Sequence, residues 1–225
     1  MRILIFGATG MVGQGALREF LRDSDVTQVV TLGRKATGQS HPKLREIVRD
    51  DLLHHGDIEP ELGGFDACLF CLGITSAGMK EADYARITYD IPLAAAQALL
   101  QASPKAVFIH VSGAGADSTE TGRVMWARIK GRAENALLRL PFRAVYILRP
   151  AIIQPMHGIR SRTALYNVLY RGFAPFWPLL ERWVPDYVTS TERIGRAMLA
   201  LVQDGGPSRI LECAEINQVA NGDKI

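Results

Sequence analysis

Trp126 and Lys130 stand four residues apart in RVMWARIKGRAEN, Arg123 to Asn135, and on a helix they share a face. An ammonium at that spacing can hold hydroxyl groups by charged hydrogen bonds or stay a solvated charge. An indole N–H can donate to a carbonyl oxygen or simply pack. A second constellation opens the chain: RILIFGATGMVGQGALREF sets Gly7, Gly10 and Gly13 directly behind an apolar run and ahead of a helical one. In that context Gly7 permits a tight turn, Gly10 lets backbone approach a pyrophosphate, and Gly13 lets the helix pack close to the strand. The backbone of Thr9, Met11 and Val12 completes the loop, and the helix N-terminus offers unpaired N–H groups to phosphate. No Gly-Lys-Ser/Thr ends the loop, which argues against a nucleotide triphosphatase and for a dinucleotide. About 20 residues further on, where an acid would select an unphosphorylated ribose, the chain has Gly33-Arg34-Lys35. Arg34 as a bidentate fork and Lys35 as a point charge suit the 2'-phosphate of NADP. Asp51 and Leu52, in RDDL, are placed to flank an adenine by hydrogen bond and apolar contact.

The elements that must carry these residues are legible as alternation. Apolar runs rich in Val, Ile, Leu and Phe recur at RILIFG, QVVTLG, LREIVR, DACLFCLG, AVFIHVSG and RAVYILRP, and they read as strands buried on both faces. Helical sequence lies between most of them: Gln14–Arg22, Lys80–Gln101 with Pro92 as a kink or fresh start, and Met125–Arg139. Strands alternating with helices imply right-handed crossovers and an α/β, doubly wound parallel sheet, a Rossmann fold. The expectation is one dinucleotide-binding domain over residues 1–225, with a small substrate or cap lobe formed mainly by 151–208. Within that lobe TALYNVLYRGFAPFWPLLERWVPDYV crowds aromatics, prolines and leucines ahead of a helix near Thr191–Val202 and a short strand, RILEC. It reads as a substrate-cleft lining, with contact to a membrane or partner as the alternative. Pro175, Pro178 and Pro185 break it too often for a spanning helix.

Composition narrows the classes. Hydrophobic residues make up 48% of 225, enough for a real core, and a formal net charge of +3 without a block of like charge does not point to nucleic acid. Met1-Arg2 runs straight into ILIF and glycines, so no secretory leader is expected, and three cysteines make no even framework. A reducing cytoplasm is the expected compartment. Cys68 and Cys71 match C-x-x-C, but inside a strand they would point to opposite faces, which favours packing over a redox pair. His54-His55 has no second ligand cluster after it and reads as a loop, so no metal is expected.

Taken in order, GATGMVG after the first strand, a Ser in VSGAGAD after the fifth, a Lys on the next helix and LRP after the sixth resemble the short-chain dehydrogenase/reductase superfamily, in its atypical and extended members. The nucleoside-diphosphate-sugar epimerase-like and NAD(P)-binding TIP30-like proteins are most similar. They share the Cys71-Leu72-Gly73 turn, a Gly-Ala-Asp run after the fifth strand and a helix of the Lys130-Gly131-Arg132-Ala133-Glu134 kind. The resemblance implies that Lys130 hydrogen-bonds the nicotinamide ribose and that the backbone around Pro150 and Ala151 lies against the carboxamide. It also implies a substrate-orienting Ser, for which Ser112 is the nearest candidate, a one-residue shift putting Gly113 there instead. The family's proton donor is a Tyr four residues before the Lys, and here that position is Trp126. An indole does not usefully ionise, so it can hold a carbonyl but not act as its acid or base. Tyr166 or Tyr170, four apart in the cap, would supply a replacement phenol if one reached the cleft. Two functions follow as expectations: an NADP-dependent oxidoreductase or epimerase-like enzyme on a small carbonyl, sugar or quinone-like substrate with Ser112, Trp126 and Lys130 at its centre, or a dinucleotide-binding regulator that has lost chemistry. An oligomer is compatible with both.

Overall fold

The computed structural model describes residues 1–56, 58–159 and 177–222. Tyr166 and Tyr170 therefore lie outside the described residues. The chain folds as β1 (Arg2–Phe6), α1 (Met11–Arg22), β2 (Gln28–Gly33), β3 (Leu44–Val48), β4 (Ala67–Phe70), α2 (Glu81–Ala85), α3 (Ile91–Ala102), β5 (Val107–Val111), α4 (Met125–Leu138) and β6 (Ala144–Arg149). There follow β7 (Ile152–Gln154), α5 (Trp177–Trp183), β8 (Val188–Ser190), α6 (Thr191–Gln203), β9 (Ile210–Glu212) and α7 (Cys213–Asn221). Seven strands form one parallel sheet in the order β3-β2-β1-β4-β5-β6-β9. Chain order reverses between β1 and β4, so the strand ends there open a crevice, the place where doubly wound sheets bind ligands.

Each central strand alternates between two cores. Ile3, Ile5, Leu69, Val107 and Ile109 face the layer of α1, α6 and α7; Leu4, Phe6, Cys68, Phe70 and Phe108 face α3 and α4. Cys68 lies in the second core and Cys71 packs on the first, so the expected divergence of the two thiols holds. Cys71 itself stands one residue beyond β4, its N–H donating to the Phe6 carbonyl at 2.9 Å. The reading of every run as buried on both faces fails at β3. It is an edge strand, partly buried with Val48 55% exposed, because β2 covers one side and no strand among the described residues pairs the other.

The expected helix over Lys80–Gln101 is three pieces: α2, a π-helical turn at Arg86–Asp90, and α3. Pro92 occupies the first turn of α3 and has no N–H to return to the Thr88 carbonyl, so the ladder widens by one residue ahead of it. Helix α7 was not anticipated; it begins in a capping box, with Glu212 accepting from the backbone of Glu215 and Glu215 from that of Glu212. Helix α6 packs on α1 in the main sandwich, where a Cβ added to Gly15 would lie 2.4 Å from the Thr191 carbonyl. What stands apart from the sheet is the β7-β8 pair with α5, and there Trp183 and Tyr187 are exposed. No helix among the described residues is long and apolar enough to cross a membrane.

Candidate functional site

The glycine loop joins β1 to α1 at the reversal of strand order. Gly7 has φ +76, and a Cβ there would come within 2.7 Å of the Leu72 nitrogen, so the turn needs both glycine's freedom and its missing side chain. A Cβ on Gly13 would lie 2.2 Å from the Gly7 carbonyl oxygen, which is the close packing of helix on strand expected there. Gly10 differs: its Cβ would meet the Gly7 oxygen at 3.2 Å and the Cys71 oxygen at 4.0 Å, both on the inner side. Gly10 is also the N-cap of α1 and supplies no side-chain hydrogen bond, so the first N–H groups of the helix are left to a ligand. Bare backbone facing outward, a helix N-terminus without a cap, and the Cys71-Leu72 backbone pressed against Gly7 fit the diphosphate of a dinucleotide. Gln14 reinforces the loop from below, its amide donating to the Thr9 carbonyl at 3.1 Å.

Arg34 and Lys35, just after β2, are exposed. Leu52, expected beside the adenine, has its side chain buried in the core of α3 and α4. Asp51 is occupied locally: it accepts the backbone N–H groups of Leu53 and His54 and meets the His54 ring at 2.7 Å. Those bonds, that of Leu53 first, hold its carboxyl well below the usual carboxylate range. No cluster of metal-ligating side chains occurs among the described residues.

The other half of the crevice is built on α4 and the loop after β5. A segment from Gly113 to Val124 is clamped onto the helix: Asp117 donates its N–H to the Ala127 carbonyl at 2.9 Å, Asn135 donates to the Ser118 carbonyl at 2.9 Å, and Gly131 leaves no room for a Cβ beneath Asp117. Arg128 ties this loop to α2 by donating to the Gly122 carbonyl at 2.7 Å and to both oxygens of Glu81 at 2.9 and 2.8 Å. On the face so fixed, the Lys130 stem runs against Gly113, whose added Cβ would lie 3.8 Å from Cε and 4.0 Å from Nζ. The Trp126 indole lies over Gly115, 3.3 Å from the equivalent position. Burial lowers the Lys130 ammonium below the usual lysine range, and the Glu134 charge one turn on opposes that shift.

Ser112 does not join them. Its hydroxyl donates to Glu134, a carboxylate with no exposed surface, which is also gripped by Arg149. Arg149 in turn reaches Glu212 at 3.0 Å and the Ser118 hydroxyl at 2.7 Å. Both Ser112 and Gly113 follow β5 and face α4, Ser112 through its bond to Glu134 and Gly113 through the Lys130 stem, so in this structure the Ser112 hydroxyl anchors Glu134. Pro150 and Ala151 are held in place, the Pro150 carbonyl accepting from Ala114 at 3.0 Å and the Ala151 N–H bonding to the Cys213 thiol. Sequence reasoning missed the network around Glu134, although a carboxylate four residues after Lys130 was its signal. It also missed His110, a polar residue inside an apolar strand.

With the crevice described, comparison with known proteins fixes its class. A family described as NAD(P)H-binding matches residues 7–154, and the chain belongs to it. Over its whole length the chain is similar to the protein FMP52, mitochondrial, of Eremothecium gossypii, at 30% identity across 96% of each chain. It is also similar to the rat protein HTATIP2, at 26% identity across 93% of this chain and 85% of that one. The fold matches the Bordetella bronchiseptica enzyme WbmG in complex with NAD, with a TM-score of 0.68 and 15% identity over 98% of this chain and 76% of that one. The short-chain dehydrogenase/reductase resemblance therefore holds. The cytoplasmic placement does not: the similar fungal proteins are named mitochondrial, and neither cysteine count nor net charge reports the compartment.

Proposed function

We propose that the protein is an NADP(H)-dependent oxidoreductase or epimerase-like enzyme acting on a small carbonyl, sugar or quinone-like substrate. The observation that supports this reading is the half-buried Lys130 beside Gly113, with Trp126 over Gly115, across the crevice from an uncapped glycine loop. A dinucleotide bound there supplies the two-electron reducing equivalent. The chain's own residues do the rest. The α1 N-terminus and the Gly10 backbone take the diphosphate, and Arg34 and Lys35 take the 2'-phosphate. Backbone at Asp51, Leu52 and Cys71-Leu72-Gly73 borders the adenosine half, and Pro150-Ala151 sits against the carboxamide. Lys130 holds the ribose hydroxyls, and Trp126 walls the substrate side and can donate its indole N–H to a carbonyl oxygen.

The proton donor is the open element. Of the phenols among the described residues, Tyr84 is buried and bonded to Thr88, Tyr89 lies under Arg132, Tyr146 accepts from Gly206, and Tyr187 stands exposed in the turn before β8. Trp126 together with the engaged Ser112 favours a second reading, a dinucleotide-binding regulator without turnover. NADPH oxidation across aldehydes, ketones and quinones separates the two. The enzyme reading expects turnover in the parent that Lys130→Ala removes. A parent that binds NADPH but turns over nothing, and gains carbonyl reduction on Trp126→Tyr, would establish the regulator instead, because a phenol beside an ammonium regains a usable acid.

A further inference from the structure

Arg149 is the last residue of β6, directly before Pro150, and no step of the proposed chemistry uses it. Its side chain is 12% exposed and is bonded along both edges of the guanidinium. Nε donates to the two Glu134 oxygens at 3.2 Å each, and Nη2 donates to Glu134 Oε2, a side-on fork onto a carboxylate that has no exposed surface. Nη2 also donates to the Ser118 hydroxyl at 2.7 Å, and Nη1 to Glu212 at 3.0 Å. One planar group thus joins the end of β6 to α4, to the loop clamped on α4 and to the N-cap of α7. The fork meets α4 one turn after Lys130, and the Ser112 hydroxyl holds the same carboxylate from the end of β5.

An ion pair taken out of water gains little over an apolar contact of the same volume, because desolvating both charges offsets their attraction. A side-on fork does fix distance and angle, which an apolar contact does not. What this fork fixes is the spacing between two parts of the crevice: the Pro150-Ala151 backbone, which continues from Arg149, and the helix that carries Lys130 and Trp126. That backbone has two further ties, the Pro150 carbonyl accepting from Ala114 at 3.0 Å and the Ala151 N–H reaching the Cys213 thiol. Both lead to elements that Arg149 also holds, the loop after β5 and the start of α7. We propose that Arg149 is the positioning residue of the nicotinamide end: held by Glu134, it sets the Pro150-Ala151 backbone at the distance from Lys130 that lets one nicotinamide riboside be gripped by its carboxamide and its ribose together. The inference rests on the reading that this backbone lies against the carboxamide. Arg149→Lys leaves a point charge that cannot hold Glu134 side-on.

The test compares NADPH with 2'-phospho-ADP-ribose, which keeps the diphosphate, both riboses and the 2'-phosphate and lacks only the nicotinamide. Both are titrated by calorimetry. The parent should bind NADPH about tenfold more tightly than the fragment, the difference reporting the carboxamide contact. Arg149→Lys should erase that difference by lowering NADPH affinity to that of the fragment, with the fragment's own affinity unchanged. Because a single change leaves Glu134 buried without its full partner, the same loss is sought in Arg149→Met combined with Glu134→Leu, where an apolar pair fills the space and the fold is kept. A merely structural role moves both ligands together or neither. An NADPH preference that survives in either variant would overturn the proposal, as would an equal fall in affinity for both ligands. No preference in the parent would instead remove the carboxamide reading, and this inference with it. A preference in the parent that the Arg149 variants leave intact removes only the role of Arg149.

Discussion

At the β1 to α1 end of the crevice the capacity to bind rests on backbone from which side chains are absent, whereas at the β5 to α4 end it rests on side chains held by other side chains. Gly7, Gly10 and Gly13 act by what they lack, and the positions their Cβ atoms would take are filled by neighbouring carbonyls or left for the ligand. Lys130 and Trp126 act by what they carry, and they are steadied by Glu134, Arg149 and the clamped loop from Gly113 to Val124. The first construction tolerates almost no addition. The second tolerates exchange, which is how an indole can occupy a position that the related superfamily gives to a phenol.

The largest effect should come from adding one methyl group at the first end. Gly13→Ala forces a Cβ onto the Gly7 carbonyl, and backbone cannot swing aside as a side-chain tip can. Overpacking of this kind costs about 1–3 kcal/mol or more. For a chain of this size that lowers Tm by roughly 5–10 °C, and NADPH binding should be lost with the loop geometry. Gly10→Val should lose binding while staying folded, with a smaller fall in Tm than Gly13→Ala because its Cβ would meet the Gly7 oxygen at 3.2 Å where that of Gly13 would lie 2.2 Å from it. Thermal melts and cofactor titration on both variants check the pair, and a Gly10→Val protein that binds normally would move the phosphate site elsewhere.

This contrast also marks what the sequence made legible. A glycine loop between a strand and a helix is readable because its constraint is local, each glycine meeting atoms within a few residues or on the adjoining strand end. The strand alternation and the parallel sheet were readable for the same reason, as periodicity within each element. The bond of Ser112 to Glu134 was not readable, because the two stand 22 residues apart in the sequence. The exposure of β3 depends on its being at the sheet edge, which is not a property of the local pattern, whereas the fresh start at Pro92 was readable from its missing N–H. The compartment was not legible at all.

A smaller effect is expected at the rim of the first end, where charge replaces backbone. Arg34 and Lys35 are exposed and make no ion pair among the described residues, so they are available to a 2'-phosphate without breaking anything described in the fold. NADPH should bind about tenfold more tightly than NADH, which is about 1.4 kcal/mol and modest for charged hydrogen bonds to a phosphate. Replacing both cations by Ala should erase the preference with Tm unchanged. Calorimetric titration of both cofactors measures it, and equal affinities in the parent would remove the assignment.

The smallest effect should be at the second end, and its smallness is the point. Gly113 is in ordinary van der Waals reach of the Lys130 stem, at 3.8 and 4.0 Å, and its backbone does not need a positive φ. Gly113→Ser should therefore fold with a Tm within about 2 °C of the parent, the range of a surface change below 0.5 kcal/mol. Cofactor affinity should be unaltered, because the hydroxyl is added beside the ammonium and not between it and the ribose. Ser112→Ala makes the opposite change. It strips a donor from the buried Glu134 and should destabilise the protein by about 1–3 kcal/mol. If Gly113→Ser lowered Tm as far as Ser112→Ala does, the second end would be as intolerant as the first. A hydroxyl at 113 should then sharpen substrate handling without cost to the fold: any carbonyl reduction gained by Trp126→Tyr should rise further when Gly113→Ser is added, since a donor beside the new phenol orients the same oxygen. An unchanged rate in the double variant would place the substrate oxygen away from Gly113 and leave the wall at Trp126 as the defining feature of that end.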